Sequence, residues 1–207
     1  MSIAIIDYGS GNLRSAEKAL ARCAPHRTVH VTCDPDTIAT ADHIVLPGVG
    51  AFGDCADGLR AIDGLQAALD ARVTRDGRPF LGICVGMQLM CATGTERGRH
   101  EGLAWVAGSV DALDVASPHK VPHMGWNGLN LRGEHCVLDG LDGENFYFVH
   151  GYAAHPEDPA MIAAEADYGG PFVASLARDN MIGTQFHPEK SQAAGLKLIE
   201  NFVNWKP

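Results

Sequence analysis

The sequence predicts an α/β fold with a mostly parallel central sheet flanked by helices and an additional β-rich second half. Three observations lead there. Apolar runs such as Ile3–Ile6 and His43–Leu46 are nearly continuous, as expected of strands buried on both faces. Segments with helical apolar spacing alternate with them, which indicates strand–helix–strand units. After about Ser109 that alternation gives way to short β-rich stretches. With 207 residues, 46% of them hydrophobic and 20% charged, the chain suits one domain (1–207) with a sizeable core.

Each element has its own warrant. Ile3-Ala4-Ile5-Ile6 is a first strand, followed by the turn-rich Asp7-Tyr8-Gly9-Ser10-Gly11-Asn12. A helical pattern runs from about Leu13 to Arg22. Thr28–Thr32 and His43–Leu46 read as the next strands, the latter ending at Pro47-Gly48. From Asp54 to about Val73, Leu59, Ile62, Leu65 and Leu69 recur at three and four, which predicts one amphipathic helix. Phe80, Leu81 and Ile83 read as a buried strand, and Met87, Leu89 and Met90 as the start of a helix. Asn145–Tyr152, Phe172–Leu176 and Met181–Phe186 are β-rich, and a closing helix runs from about Gln192 to Trp205. No repeat, low-complexity tract or linker interrupts the chain.

Composition excludes several functions. A net charge of −9, carried by scattered residues, argues against a nucleic-acid partner. No apolar stretch approaches the ~18 residues of a membrane span. Met1-Ser2-Ile3 enters a strand without a basic leader, so a cytoplasmic location is expected. The six cysteines are irregularly spaced without a C-x-x-C, so free thiols are expected rather than a zinc site. His119 and His123 stand four apart, but Pro118 and Pro122 argue against the helix that would pair them on a metal. Neither a metal nor another cofactor is implied.

Chemistry concentrates in three segments. Gly82-Ile83-Cys84-Val85-Gly86 is the cysteine counterpart of the G-x-S-x-G elbow, in which a strand turns sharply into a helix and presents a nucleophile. Any Cβ at Gly82 or Gly86 would collide with the crowded backbone, and a helix N-terminus favours thiolate over thiol. An inert buried cysteine is the competing reading. Gly48-Val49-Gly50-Ala51-Phe52-Gly53 matches a dinucleotide fingerprint, but it lies outside the first strand–helix–strand unit and lacks the acidic residue that should follow. Its unshielded N–H groups suit an oxyanion site better, with an ordinary glycine turn as the alternative. In Phe186-His187-Pro188-Glu189, Pro188 keeps His187 extended, so His187 and Glu189 share a face and form a candidate base with its orienter. A surface histidine–glutamate pair is the alternative. Because sites in open α/β sheets form beyond the carboxyl ends of strands, Gly9–Asn12, Pro47–Gly53 and Cys84 should gather at one edge.

Gly-Ile-Cys-Val-Gly-Met-Gln and Phe-His-Pro-Glu together resemble the class I (triad) glutamine amidotransferases. Within that family, four further segments resemble the glutaminase subunits of imidazole glycerol phosphate synthases, which serve histidine biosynthesis. They are Ile6–Asn12, Leu46–Phe52, Pro122-His123-Met124-Gly125-Trp126-Asn127, and Tyr147-Phe148-Val149-His150-Gly151-Tyr152. The resemblance spans nearly the whole chain and implies a flavodoxin-like amidotransferase fold.

It also implies roles. Cys84 would attack the side-chain amide of L-glutamine, His187 would shuttle protons, and Glu189 would position His187. Backbone N–H groups of Val49, Gly50 and Val85 would hold the oxyanion, while Gln88, Glu96, His150, Gly151 and Tyr152 would hold the glutamine. Relatives often carry a side chain where this sequence has Gly151, so the contacts there are expected to differ. Met124, Trp126, Asn127 and Lys190 would face a separate (βα)₈-barrel cyclase subunit that receives the ammonia. The strand Pro47–Gly50 is expected to be misaligned in the free subunit and corrected on assembly. Competing functions are a glutaminase for anthranilate, guanylate or pyridoxal phosphate synthesis, a non-catalytic subunit, and a cysteine hydrolase acting alone.

Overall fold

The structure is a computed structural model that describes residues 1–116 and 118–207. Its order is β1 (Ser2–Ile6), α1 (Leu13–Cys23), β2 (Thr28–Thr32), α2 (Pro35–Thr40), β3 (His43–Gly48), α3 (Phe52–Arg60) and α4 (Leu65–Asp70). The elbow follows as β4 (Phe80–Cys84) and α5 (Val85–Gln88). Then come β5 (Cys91–Gly94), β6 (His100–Glu101), β7 (Val106–Ala112), β8 (His123–Gly128) and β9 (Asn130–Leu131). The chain ends with β10 (Asn145–His150), β11 (Tyr152–Pro156), β12 (Ile162–Asp167), β13 (Pro171–Arg178), β14 (Met181–Thr184) and α6 (Gln192–Asn204).

Eight strands form the main sheet in the order β2-β1-β3-β4-β14-β13-β12-β9. The first five are mutually parallel, and the last three continue antiparallel. The expected mostly parallel sheet is therefore present, and it borrows its fifth parallel strand from the β-rich half. Register then does the positioning. Gly48 pairs with Cys84 across β3 and β4, and Thr184 pairs with Ile83 across β14 and β4. The loop after β3, the nucleophile and the segment after β14 thus emerge side by side at the carboxyl edge. β11-β7-β5-β6 forms a second sheet, and β10-β8 a two-stranded ribbon. Helix α1 packs on α6, and α2 on α4. Ile3, Ile5, Ile44, Phe80, Phe146, Phe186 and Phe202 are fully buried in the shared core.

Three expectations need correction. The helix predicted over Asp54–Val73 is two helices, α3 and α4. Asp63-Gly64 breaks it, with Gly64 in the left-handed region at φ 77°, which aims Leu65 and Leu69 into the core on a new axis. The apolar run after Cys84 gives a single turn of helix. The carbonyls of Leu89 and Met90 then accept from Leu103 and Val106, so the chain is captured as sheet. Helix α2 has no apolar periodicity long enough to announce it. Its signature is at its start, where Asp34 caps Asp36 and Thr37 and Pro35 opens the first turn. No helix among the described residues is long and apolar enough to cross a membrane.

Candidate active site

Cys84 ends β4 with φ 55° and ψ −111°, a strained conformation for a residue with a side chain. Packing over-determines the strain. A Cβ at Gly86 would fall 1.8 Å from the Leu46 carbonyl oxygen, and one at Gly82 would fall 2.6 Å from that of Gly86. The elbow needs both glycines. Helix α5 is only four residues long, so its macrodipole gives the sulfur far less support than a full helix would.

His187 follows β14 and is buried, with its backbone fixed on both sides. Its N–H donates to the Tyr147 carbonyl at 2.9 Å, and the Ser191 hydroxyl donates to its carbonyl at 2.6 Å. Nδ1 meets Glu189 Oε1 at 2.9 Å, so the imidazole has its orienter. Nε2 is buried without a hydrogen bond of its own, as is Glu189 Oε2. Burial lowers the pKa of His187, but the Cys84 sulfur and the Glu189 carboxylate more than offset this and raise it to about 9. The imidazolium is the form of His187 that these neighbours favour.

A cavity of about 470 Å³ opens over the sulfur. Cys84, His187, Val49, Gly50, Val85, Gln88, Glu96, His150, Gly151 and Tyr152 all line it, and Glu189 stands behind His187. The sequence assigned no role to the remaining lining residues, Ala112, Val121, Pro122 and Val149, because small and apolar walls carry no chemical signal. A second groove, of about 540 Å³, runs past Arg132, Glu165, Arg178 and Asp179. Arg132 pairs there with Glu165 and Arg178 with Asp179, and no serine, threonine or cysteine lines it.

Several placements refine the expected roles. The Val49 N–H does not face the cavity as a free donor. It donates to Ser10 Oγ at 3.1 Å, and the same hydroxyl donates to the Val49 carbonyl. Cys55 Sγ adds a third contact, to Ser10 Oγ at 3.3 Å. One serine thus clamps both ends of this residue, in a loop where Gly50 sits at φ 102°. Glu96 Oε2 accepts from the Phe52 N–H at 3.0 Å, capping the helix that follows the same loop. Gln88 Nε2 donates to the Tyr152 carbonyl at 3.2 Å and to Gln185 Oε1 at 3.0 Å. Gln185 Nε2 in turn lies 3.7 Å from Cys84 Sγ. Neither Ser10 nor Gln185 was assigned a role from the sequence. For Gln185 the available signal was a polar residue directly after a buried strand; Ser10, in a polar turn, gave none.

The four predicted interface residues lie outside the cavity. Met124 and Trp126 are 63% and 49% exposed on the outer face of the β8–β10 ribbon. Trp126 packs edge-on to Tyr147, and Lys190 Nζ sits 5.8 Å over the same ring. Asn127 turns away, donating to the Asp167 carbonyl at 2.7 Å. On the inner side of the ribbon, His123 Nδ1 bonds His150 Nε2 at 3.0 Å, and His150 Nδ1 bonds the Tyr152 carbonyl at 2.9 Å. Among the described residues, no group of three or more potential ligands could hold a metal ion.

Residues 4–205 match the sequence profile described as Glutamine amidotransferase class-I. The chain belongs to that family. The class-I amidotransferase fold is equally clear in solved structures. PurLQS from Thermotoga maritima superposes with a TM-score of 0.74 at 17% identity, covering 98% of this chain and 97% of that one. A crystal structure titled glutamine amidotransferase gives 0.73 at 14% identity, covering 97% and 98%. Curated amidotransferases are much nearer in sequence. The imidazole glycerol phosphate synthase subunit HisH of Rhodospirillum rubrum is 53% identical over the full length of both chains. That of Mesorhizobium japonicum is 51% identical, again over the full length of both.

Proposed function

We propose that this chain, acting as one amidotransferase domain, is the glutaminase subunit of an imidazole glycerol phosphate synthase. It hydrolyses L-glutamine to glutamate and ammonia in the cytoplasm. The ammonia passes to a separate cyclase subunit, which forms imidazole glycerol phosphate and aminoimidazole carboxamide ribotide in histidine biosynthesis. The observation that carries this reading is full-length identity of 51–53% to subunits bearing that name, in a chain whose Cys84, His187 and Glu189 meet at one cavity.

The chemistry follows from the geometry. The Cys84 thiolate attacks the carboxamide carbon, and the carbonyl electron pair moves onto oxygen. As the tetrahedral adduct collapses, His187 gives its proton to the departing nitrogen, and ammonia leaves a thioester. Water then attacks the thioester while His187 takes its proton, releasing glutamate and the thiolate. Glu189 holds the imidazole through Nδ1 at 2.9 Å throughout. The Val85 N–H opens a helix and Gly50 lines the cavity, which supports reading their N–H groups as the oxyanion donors.

The Val49 N–H becomes a third donor only if Ser10 releases it. We read the clamped loop as the resting state of the free subunit. The exposed patch of Met124, Trp126 and Lys190 suits a partner surface, being aromatic and methionine-rich with a peripheral cation. Val149 links the patch to the chemistry, because its carbonyl lies 4.0 Å from Cys84 Sγ on the strand that carries Tyr147. The test is glutamine hydrolysis measured with and without the cyclase and its ribonucleotide. Turnover should rise at least tenfold on assembly and vanish in Cys84→Ala. Equal turnover in both states would overturn the resting-state reading, and no turnover in the complex would overturn the function.

A further inference from the structure

Gln185 occupies a position that the triad does not account for. Its side chain is wholly buried, in reach of both Cys84 and Gln88. Its backbone is fixed by donation to the Ala174 carbonyl at 2.8 Å. The orientation of its amide is forced by a chain of contacts that begins at the main chain. The Tyr152 carbonyl can only accept, so Gln88 must present its NH₂ there, at 3.2 Å. The same NH₂ reaches Gln185 at 3.0 Å, so Gln185 must answer with oxygen. Its own NH₂ therefore faces Cys84 Sγ, at 3.7 Å. Flipping either amide would set like groups against each other in a dry interior, where an unsatisfied polar group is costly.

Besides the buried Tyr8 hydroxyl and Cys55 thiol, whose negative forms would disfavour a thiolate, three polar groups bear on the charge of the sulfur. The Val149 carbonyl, 4.0 Å away, can only accept and so favours the thiol. His187 as imidazolium favours the thiolate. The Gln185 amide can only donate along this line, and it also favours the thiolate. We propose that Gln185 is a further catalytic residue, whose side-chain N–H donates to the Cys84 thiolate and sets the direction from which the sulfur attacks. Gln88 is its positioning residue. When the sulfur becomes a neutral thioester it accepts only weakly, so this bond acts before and after acylation and not in the intermediate. The proposal rests on Cys84 being the nucleophile, and it adds to the triad a donor independent of the histidine.

The experiment is the pH dependence of iodoacetamide alkylation at Cys84 in the full chain, followed by peptide mass so that the other cysteines do not interfere. Gln185→Met removes the donor at nearly constant volume, and Gln185→Glu keeps an oxygen for Gln88 but turns an acid toward the sulfur. The alkylation midpoint should rise by about one unit in Gln185→Met, lowering the rate near neutrality about tenfold, and should rise further in Gln185→Glu. A midpoint unmoved in Gln185→Met, with only Gln185→Glu shifted by its added charge, would mean that the amide donates nothing to the sulfur and would overturn the proposal. So would unmoved midpoints in both variants.

If the variants fail to fold, the wild-type chain still decides. The side-chain amide resonance of Gln185 should titrate with the alkylation midpoint and cease to do so in Cys84→Ala. A resonance flat across that range sinks the idea. Absence of any alkylation at Cys84 would sink the nucleophile itself, a failure distinct from that of Gln185.

Discussion

Two histidine systems flank the same cavity and are held in opposite states. His187 is buried, and its pKa is raised to about 9. His123 and His150 are equally buried, and each is lowered to about 4, in both cases chiefly by burial. Burial pushes all three down, so it does not distinguish them. The partners do. His187 faces a carboxylate and a sulfur, whereas His150 faces another imidazole and the neutral Tyr152 carbonyl. The carbonyl also fixes a tautomer. It takes the Nδ1 proton of His150, leaving Nε2 to accept from His123. One pair favours a charged imidazole, as the proposed proton transfer requires, and the other a neutral one.

The sharpest way to break this contrast is to strip His187 of its partners. In the double variant Cys84→Ala/Glu189→Gln, the His187 midpoint followed by NMR should fall below 6.5 and join that of His150. Hydrolysis in the presence of the cyclase should be lost by a factor of about 10⁴ or more, with Glu189→Gln alone costing about 10³–10⁴. A His187 midpoint still above 6.5 in the double variant would mean that partners do not set its state.

A smaller effect tests the neutral pair. Between about pH 4 and 6.5 the unfolded chain protonates His123 and His150, while the folded protein does not. The unfolded state therefore binds more protons in that window, and stability falls as pH drops through it and levels below about 4. The loss over the whole window should be on the order of 7 kcal/mol, about half from each site, and the two sites titrate as a coupled pair. Urea unfolding midpoints at pH 7 and 4.5 measure it. His123→Phe keeps the stacking on Tyr168, 4.0 Å between ring centres in the parent, and should flatten this acid limb. An equally steep limb in the variant would assign the acid sensitivity elsewhere.

How much of this the sequence revealed depended on how local the cause was. The elbow was legible because Gly82 and Gly86 are demanded within five residues of Cys84. His187 and Glu189 were legible because Pro188 forces an extended chain between them. The opposite states of His187 and His150 were not legible, since they arise from contacts between segments far apart in the chain. Gln185 directly precedes the Phe-His-Pro-Glu segment, yet its meaning depends on Gln88 and on a carbonyl at Tyr152. The break between α3 and α4 was misread because Ile62 continues the apolar spacing through a turn that Gly64 ends. Core geometry overrode periodicity there.

The smallest predicted effect lies in the backbone that joins the two systems. Gly151 separates His150 from Tyr152, and a Cβ there would meet only Val121 Cγ1, at 3.3 Å. Gly151→Ser should change stability by less than about 0.5 kcal/mol and leave the acid limb as it was, as thermal and urea unfolding would show. A loss of several kcal/mol would mean that this strand has no slack.

The Tyr152 carbonyl accepts from both Gln88 and His150, and so sets the polarity of the chain that ends at the sulfur and of the chain that ends in His123. That instruction is written in an atom every amino acid possesses. Point substitution at position 152 can alter the ring that borders the cavity, but it cannot erase the acceptor. Only an inserted or deleted residue, by turning the peptide, would reverse both chains at once. The most consequential direction-setting in this site is therefore mutationally silent, and drift in side-chain identity would leave no trace of it.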